Sequence, residues 1–198
     1  ASKWFWPSLE PGNETLRITV SVFDTGQSTY RKSSQISPDE KPFASALNTT
    51  IIVPRMENPG DVAEREDFTL KLPARTVLPL TEAIEGKVRL RVRRATAEEA
   101  PALRNKIAVM RGAGFVVKYR SLSRRTQDNQ PFHAVLTAGD ALGCSDANQA
   151  VERFLRSAEP PSHNDWIQNT DRIQAEYRRG AGVQLRRLWE WMDTAINQ

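Results

Sequence analysis

Alternating basic residues give this chain its clearest chemical signature. Between Gly86 and Arg94 every second residue is apolar, and the intervening residues are basic: Lys87, Arg89, Arg91 and Arg93. In a β-strand these side chains share one face at intervals of roughly 6.6 Å, close to the repeat of phosphates along one nucleic-acid strand. We call this group the basic strand, and it is expected to follow a phosphate backbone without reading bases. The alternative is a solvated face that acidic residues of neighbouring strands neutralise.

A second basic group surrounds a predicted β-hairpin. Two apolar, β-prone runs, residues 107–110 and 115–119, flank Gly112 and Gly114, and glycine allows the positive φ angles of a tight turn. No acidic residue occurs between Arg104 and the end of this basic group. The cations expected to join the basic strand in binding are Lys118, Arg120, Arg124 and Arg125.

Charge is distributed unevenly along the chain. The 198 residues contain 28 Lys and Arg and 24 Asp and Glu, a formal net charge of +4. Residues 87–125 contain twelve basic and two acidic residues, a local charge of +10 that leaves −6 for the rest. Such a concentration is typical of a surface that binds a polyanion.

The sequence lacks the side chains that a catalytic site or a metal site needs. Cys144, His133 and His163 are the only Cys and His residues and have no paired spacing, which excludes a structural zinc site. A Cys144–His133 nucleophile pair is conceivable, but one cysteine after a glycine is typical of a small packing residue. The Gly112–Gly114 turn lacks the helix that follows a phosphate-binding loop. We therefore predict no catalytic residue, no metal and no cofactor.

A competing hypothesis concerns the C-terminus. Apolar residues recur at helical spacing over residues 170–196, and Gly180 and Gly182 mark a kink, a break or a close contact. The end of this helix carries three large apolar side chains: Trp189, Trp191 and Met192. Such residues are enriched at protein interfaces, so the helix predicts a docking or homodimerisation surface.

The elements that would position these residues indicate an α+β fold. About seven short strands are expected, over residues 16–22, 49–53, 68–72, 86–94, 107–110, 115–119 and 132–138. Polar composition predicts loops over residues 27–42 and 55–67. No segment between the strands has the length and period of a crossover helix, which favours an antiparallel β-sandwich over residues 1–140.

Helices are expected over residues 141–198, packed on the sandwich as one continuous core. Ser145 caps a first helix that ends before Pro160. Ser162 and Asp165 fit a capping box that would begin a second helix. With one cysteine, no leader and no long apolar run, the chain is predicted to be cytosolic and not membrane-spanning. The absence of an initiator Met favours a fragment of a longer protein.

Three segments, residues 105–119, 131–139 and 154–166, resemble the region downstream of the ATP-binding domain in bacterial GHKL-type proteins. These are MORC-like or heat-shock-type proteins encoded in restriction and phage-defence neighbourhoods. The resemblance implies a non-catalytic C-terminal half, a DNA-related setting and a separate ATPase domain as partner, since the GHKL nucleotide-site motifs are absent here. The candidate motif residues within the segments are Arg111, Gly112, Gly114, His133, Glu159, His163 and Trp166.

Overall fold

The computed structural model describes residues 2–9, 19–24, 27–33, 36–76, 82–99, 101–112, 114–122 and 130–197. The predicted positions Arg124 and Arg125 lie outside these residues. The strands are β1 Thr19–Asp24, β2 Gln27–Ser33, β3 Val62–Glu64, β4 Phe68–Leu72, β5 Ile84–Arg94, β6 Lys106–Arg111, β7 Phe115–Ser121 and β8 Phe132–Ala138. The helices are α1 Ser2–Phe5, α2 Lys41–Asn48, α3 Asp146–Ser157, α4 Asp171–Glu176 and α5 Ala181–Ala195. The predicted α+β class is confirmed.

Six strands form one mixed sheet in the order β3-β5-β8-β6-β7, and β4 pairs with β5 beside β3. Strands β6 and β8 are parallel, while the other pairs in this sheet are antiparallel. Strands β1 and β2 form a separate antiparallel ribbon. The purely antiparallel arrangement that the sequence suggested is therefore wrong for β6 and β8.

Helices cover both faces of the sheet, where a sandwich would have placed a second sheet. On one face, Val88, Leu90 and Val92 of β5 share a buried cluster with residues of α3 and α5. On the other face, Trp6 and residues of α2 pack against Ala108 and Val135. All seven residues of β8 are buried, including the polar His133 and Thr137, because helices cover this central strand on both faces.

The central hairpin and the C-terminal helices follow the sequence pattern. Gly112 and Gly114 have φ angles of 61° and 89° in the turn between β6 and β7. Ser145 caps α3 by accepting a hydrogen bond from the backbone N–H of Asn148. The predicted break falls at Gly180, whose φ angle of 98° separates α4 from α5. No helix in the described ranges is both long and apolar enough to cross a membrane.

Several element predictions are wrong. Residues 49–53 form no strand, although their composition favours one, and the expected loops over residues 27–42 and 55–67 contain β2, the start of α2 and β3. The capping box at Ser162 begins no helix, because its hydroxyl donates to Asn164 Oδ1 and His163 has a left-handed φ of 50°. Helix α4 instead begins after Thr170, which caps it.

Candidate functional site

The basic strand lies on β5 and faces two acidic residues: Glu64 at the end of β3 and Asp67 after it. Arg89 Nε lies 3.3 Å from Asp67 Oδ1, and Arg91 Nε donates to Glu64 Oε2 at 2.8 Å. Lys87 Nζ lies 3.9 Å from Asp67. The hydrogen bond to Asp67 raises the pKa of Arg89 above its ordinary value. The acids predicted under the alternative interpretation are therefore present beside the basic residues.

Exposure falls steeply along the basic strand. The side chain of Lys87 is 69% exposed, whereas that of Arg93 is 11% exposed and donates to Glu99 Oε1 at 2.6 Å. Arg91 also donates to the carbonyl oxygens of Leu47 and Thr49, at the end of α2. Arg91 and Arg93 thus hold the chain together, and only the Lys87 end of the strand is open to solvent.

Lys118 and Arg120 of β7 point to the opposite face of the sheet. Lys118 Nζ lies 2.6 Å from Asp165 Oδ2. Arg120 Nη2 donates to Asp193 Oδ2 at 3.0 Å, and its guanidinium lies 4.8 Å from the ring centre of Trp189. Helix α5 carries Asp193 and Trp189 and packs on the face away from α2. The six described cations of the predicted binding surface therefore do not share one face.

Three exposed arginines have no such partners: Arg153 in α3, and Arg178 and Arg179 just before α5. Arg178 and Arg179 follow Tyr177, whose ring packs edge-on against Phe154 at 5.2 Å, next to Arg153 in α3. Within the described residues, no carboxylate lies at ion-pair distance from any of the three arginines. We call Arg153, Arg178 and Arg179 the arginine patch. In the sequence, only the Arg178-Arg179 dipeptide indicates this patch. It lies outside residues 87–125, where the positive charge is concentrated.

Acidic residues near the patch are already occupied. Glu176 pairs with Arg75 at 3.2 Å and with Arg172 at 3.5 Å. Burial raises the pKa of Tyr177, while the nearby Arg75 and Arg153 partly oppose this rise and Glu176 adds to it. Tyr177 thus has Arg153 near its side chain and Arg178 and Arg179 next to it in the chain, and no described carboxylate pairs with these three arginines.

Four of the seven candidate motif residues of the GHKL resemblance meet in one cluster, which is buried except for the His163 side chain, 59% exposed. Arg111 binds Glu159 through two nitrogens, and its Nη2 lies 2.6 Å from Glu159 Oε2. Its Nη1 donates to Glu152 Oε1 at 2.8 Å. His163 Nδ1 lies 2.8 Å from Glu159 Oε2, and Trp166 Nε1 donates to Glu159 Oε1 at 3.3 Å. We call these five residues the buried arginine cluster; sequence reasoning missed Glu152, which reads as an ordinary helix residue.

Their neighbours keep Arg111 and Glu159 ionised. Burial alone would raise the pKa of Glu159, but hydrogen bonds from Arg111 and His163 outweigh it, and the pKa lies below its ordinary value. Burial likewise opposes the charge of Arg111, yet its two carboxylates hold the pKa above its ordinary value. Because every nitrogen of Arg111 is occupied, the cluster is suited to joining β6, α3 and residues 159–166 and not to holding a ligand.

The hairpin turn is shaped by close contacts on both sides. The N–H of Gly112 donates to Glu152 Oε2 at 2.9 Å, which ties the turn to the buried arginine cluster. On the other side, Ser8 Oγ donates to the carbonyl of Gly114 at 3.2 Å. A Cβ atom on Gly114 would lie 2.3 Å from Ser8 Oγ, so a side chain there is excluded by space as well as by φ.

His133 and Cys144 are not brought together. His133 is buried near the start of β8, where its ring packs edge-on against Phe43 at 5.0 Å. Burial is the main reason that its pKa falls to about 4. Cys144 is exposed beyond the end of β8. The described part of the chain also contains no group of three or more His, Cys, Asp or Glu residues able to hold a metal ion.

The tryptophans of α5 contact their own chain. Trp189 stacks on Trp166 with ring centres 5.6 Å apart, and Trp191 packs against Phe68 at 5.3 Å. Met192 is completely buried. Met192 is therefore a core residue, which corrects its assignment to a partner interface, and the two tryptophans are half-buried in intramolecular contacts.

Comparison with known proteins gave no match to a family model, to a curated protein or to a solved structure. The GHKL resemblance and the ATPase partner that it implies therefore stay predictions.

Proposed function

We propose that this chain is a non-catalytic module that binds the phosphate backbone of nucleic acid without sequence preference, with the arginine patch as its main contact. The observation that carries the proposal is the contrast in pairing. The six described cations predicted from the sequence each lie beside a carboxylate, whereas Arg153, Arg178 and Arg179 are exposed with no carboxylate at ion-pair distance among the described residues.

Arginine suits this role because its planar guanidinium presents several N–H donors to phosphate oxygens. An unpaired guanidinium can neutralise a phosphate directly and release the counterions condensed on the nucleic acid. A paired guanidinium must first give up its carboxylate. Exposed ion pairs contribute only about 0–1 kcal/mol, so Lys87 and Arg89 remain secondary contacts, whereas Arg91 and Arg93 are held inside the fold.

Base readout contributes little to the proposed binding. Tyr177, the aromatic residue at the patch, is buried and packs on Phe154, so it offers no face for stacking on a base. Contacts to phosphates position a protein but carry no sequence information. A DNA-related role agrees with the setting that the GHKL resemblance implies, and linkage to an ATPase stays a separate prediction.

The test is a salt titration of binding to a labelled DNA duplex. The matched variants are Arg178→Ala/Arg179→Ala and Lys87→Ala/Arg89→Ala, which remove the same number of charges from the patch and from the basic strand. Each phosphate contact contributes about −0.9 to the slope of log affinity against log salt. The patch variant should therefore lose about two from the parent slope, and the strand variant should lose less than one.

Two results would contradict the proposal in different ways. Absence of binding by the parent at low salt would remove nucleic acid as the ligand. Normal binding by the patch variant together with weak binding by the strand variant would show that the basic strand on β5, and not the arginine patch, is the main contact surface. Folding of each variant is checked by its circular dichroism spectrum and unfolding midpoint.

A further inference from the structure

Arg65, which directly follows β3, is a half-buried arginine without a counterion. Its Nε atom is buried and has no hydrogen-bond partner. No carboxylate of the described residues lies at ion-pair distance from its guanidinium, and burial lowers its pKa with no neighbouring acid to oppose the fall. A polar group that is removed from water without a partner costs free energy. An anion from outside the chain would recover that cost.

The strand register places Arg65 close to an aromatic pair. Its N–H donates to the carbonyl oxygen of Leu90 at 2.9 Å, which continues the β3–β5 register and puts Arg65 on the face of the sheet that α5 covers. Phe68 lies opposite Val88 on the same face, roughly 6.6 Å further along β5. The Trp191 ring packs on Phe68 at 5.3 Å and keeps part of its surface in solvent.

One edge of the molecule joins this aromatic pair to the arginine patch. Trp191 lies near the end of α5, about ten residues or roughly 15 Å from the start of the helix. Strand β4 runs beside α5 in the opposite direction: Phe68 at its start contacts Trp191, and Ala74 beyond its end accepts a hydrogen bond from the N–H of Arg178 at 3.2 Å. The patch and Trp191 therefore mark the two ends of the same edge.

Another unpaired arginine lies between these two ends. Arg187 is four residues before Trp191, a spacing that puts both side chains on the same side of the helix. It is exposed, and no carboxylate in the described ranges lies at ion-pair distance from it. Glu190, the acid on the following turn, pairs instead with Arg186 at 3.8 Å. The aromatic pair thus has Arg187 on its helix side and Arg65 on its sheet side.

We propose that this edge binds single-stranded nucleic acid, with a base stacked on Trp191 and the adjoining phosphates held by Arg65 and Arg187. We call Arg65, Phe68, Arg187 and Trp191 the stacking site. It rests on the proposed function, because the same strand would continue along α5 to the arginine patch. Proteins that bind single strands combine a basic path for the backbone with aromatic side chains for the bases, over about 4–16 nucleotides.

Two alternatives fit these residues less well. A DNA duplex keeps its bases stacked within the helix, so it could use the arginines but not the Trp191 ring. An acidic protein partner would need carboxylates at the spacing of the patch, Arg187 and Arg65, whereas a nucleic acid carries a phosphate at every nucleotide. Stacking tolerates any base, so the stacking site adds affinity without adding sequence preference.

Fluorescence anisotropy with a labelled thymidine strand, and with a duplex of the same length, tests the proposal. Trp191→Leu keeps an apolar side chain against Phe68 but removes the ring. It should weaken binding of the single strand about fivefold or more and change binding of the duplex by less than about twofold. Trp4→Leu is the matched control, because Trp4 is 37% exposed and packs on Tyr119, away from α5. It should change neither affinity.

A second measurement uses the parent chain alone. An abasic strand of the same length and charge should bind several-fold more weakly than the thymidine strand, because stacking requires the base. Equal binding of the two strands would overturn the stacking site. So would an unchanged or equal loss of the single strand and the duplex in Trp191→Leu, and the edge would then be left to a protein partner. In all these cases duplex binding by the parent keeps the proposed function, whereas binding of neither form would overturn both.

Discussion

Arg111 lies buried between two carboxylates at the end of β6, whereas Arg178 and Arg179 lie exposed on the turn before α5. The side chain is the same, but its surroundings differ. Arg111 uses all its nitrogens to join elements of the fold, and the patch arginines leave theirs to solvent. The comparison indicates that pairing with carboxylates, more than local charge density, separates arginines that stabilise a fold from those available to bind a ligand.

Arg111→Ala is the substitution with the largest expected effect. It would leave Glu152 and Glu159 buried without their main counterion, and breaking such a pair costs about 3–5 kcal/mol. Urea unfolding followed by circular dichroism measures the loss. Arg156→Ala is the matched control, because Arg156 donates to the same Oε1 atom of Glu152 from an exposed position. Similar losses for both variants would contradict the distinction between buried and exposed arginine.

The next largest expected effect is a loss of folding stability in acid, caused by protonation of Glu159 in the buried arginine cluster. The pKa of Glu159 is depressed in the folded state, so the unfolded chain takes up the proton first. Its contribution to the free energy of unfolding is complete above the ordinary carboxyl pKa of 4.5 and is lost as the pH falls through the lower folded-state pKa.

Urea unfolding at a series of pH values measures this dependence. Glu159→Gln should lower stability at neutral pH and flatten its dependence on acid. Glu190→Gln, on the exposed side of α5, should leave both nearly unchanged. An equally steep acid dependence in Glu159→Gln would assign the effect to other carboxylates.

The hairpin turn offers a smaller and sharper test. Gly114 and Gly180 both have positive φ angles, but a Cβ on Gly114 would lie 2.3 Å from Ser8 Oγ, whereas a Cβ on Gly180 would meet nothing within 4 Å. Gly180→Ala should therefore cost only the backbone strain of the left-handed region, about 1 kcal/mol, and Gly114→Ala about 2–3 kcal/mol. Thermal unfolding measures both. Equal costs would show that the contact with Ser8 relaxes easily.

Local patterns predicted the hairpin and the Ser145 cap of α3, because these depend on neighbours in sequence. Gly112 and Gly114 need positive φ, and Ser145 caps α3 within three residues. Continuous apolar runs also located β6 and β8. Residues 27–33 were missed because their polar composition hides the ribbon strand β2, and residues 49–53 were misassigned because strand composition does not guarantee a place in the sheet.

The cations between residues 87 and 125 do not form one open binding surface, for a different reason. The excess of +10 was counted over residues 87–125, but the carboxylates that neutralise it come from elsewhere: Glu64, Asp67, Asp165 and Asp193. Partners so far away in sequence leave no local signal. The same limit applies to the buried arginine cluster, in which Arg111 meets Glu152 and Glu159 across 41 and 48 residues.

The substitution with the smallest expected effect on stability is in the arginine patch. The test depends on this effect being small, because a loss of binding can then be separated from a loss of folding. Arg178→Ala/Arg179→Ala removes two exposed side chains that hold no carboxylate within the described residues, so the free energy of unfolding should change by less than about 0.5 kcal/mol. Arg91→Ala is the comparison, because it removes hydrogen bonds to Glu64 and to the carbonyls of Leu47 and Thr49.

That loss should cost about 1–3 kcal/mol, as charged hydrogen bonds do. Urea unfolding of both variants, in parallel with DNA titrations, separates folding from binding. If the patch variant unfolds as easily as Arg91→Ala, Arg178 and Arg179 are structural after all, and weaker DNA binding by that variant would then report a damaged fold instead of a lost contact.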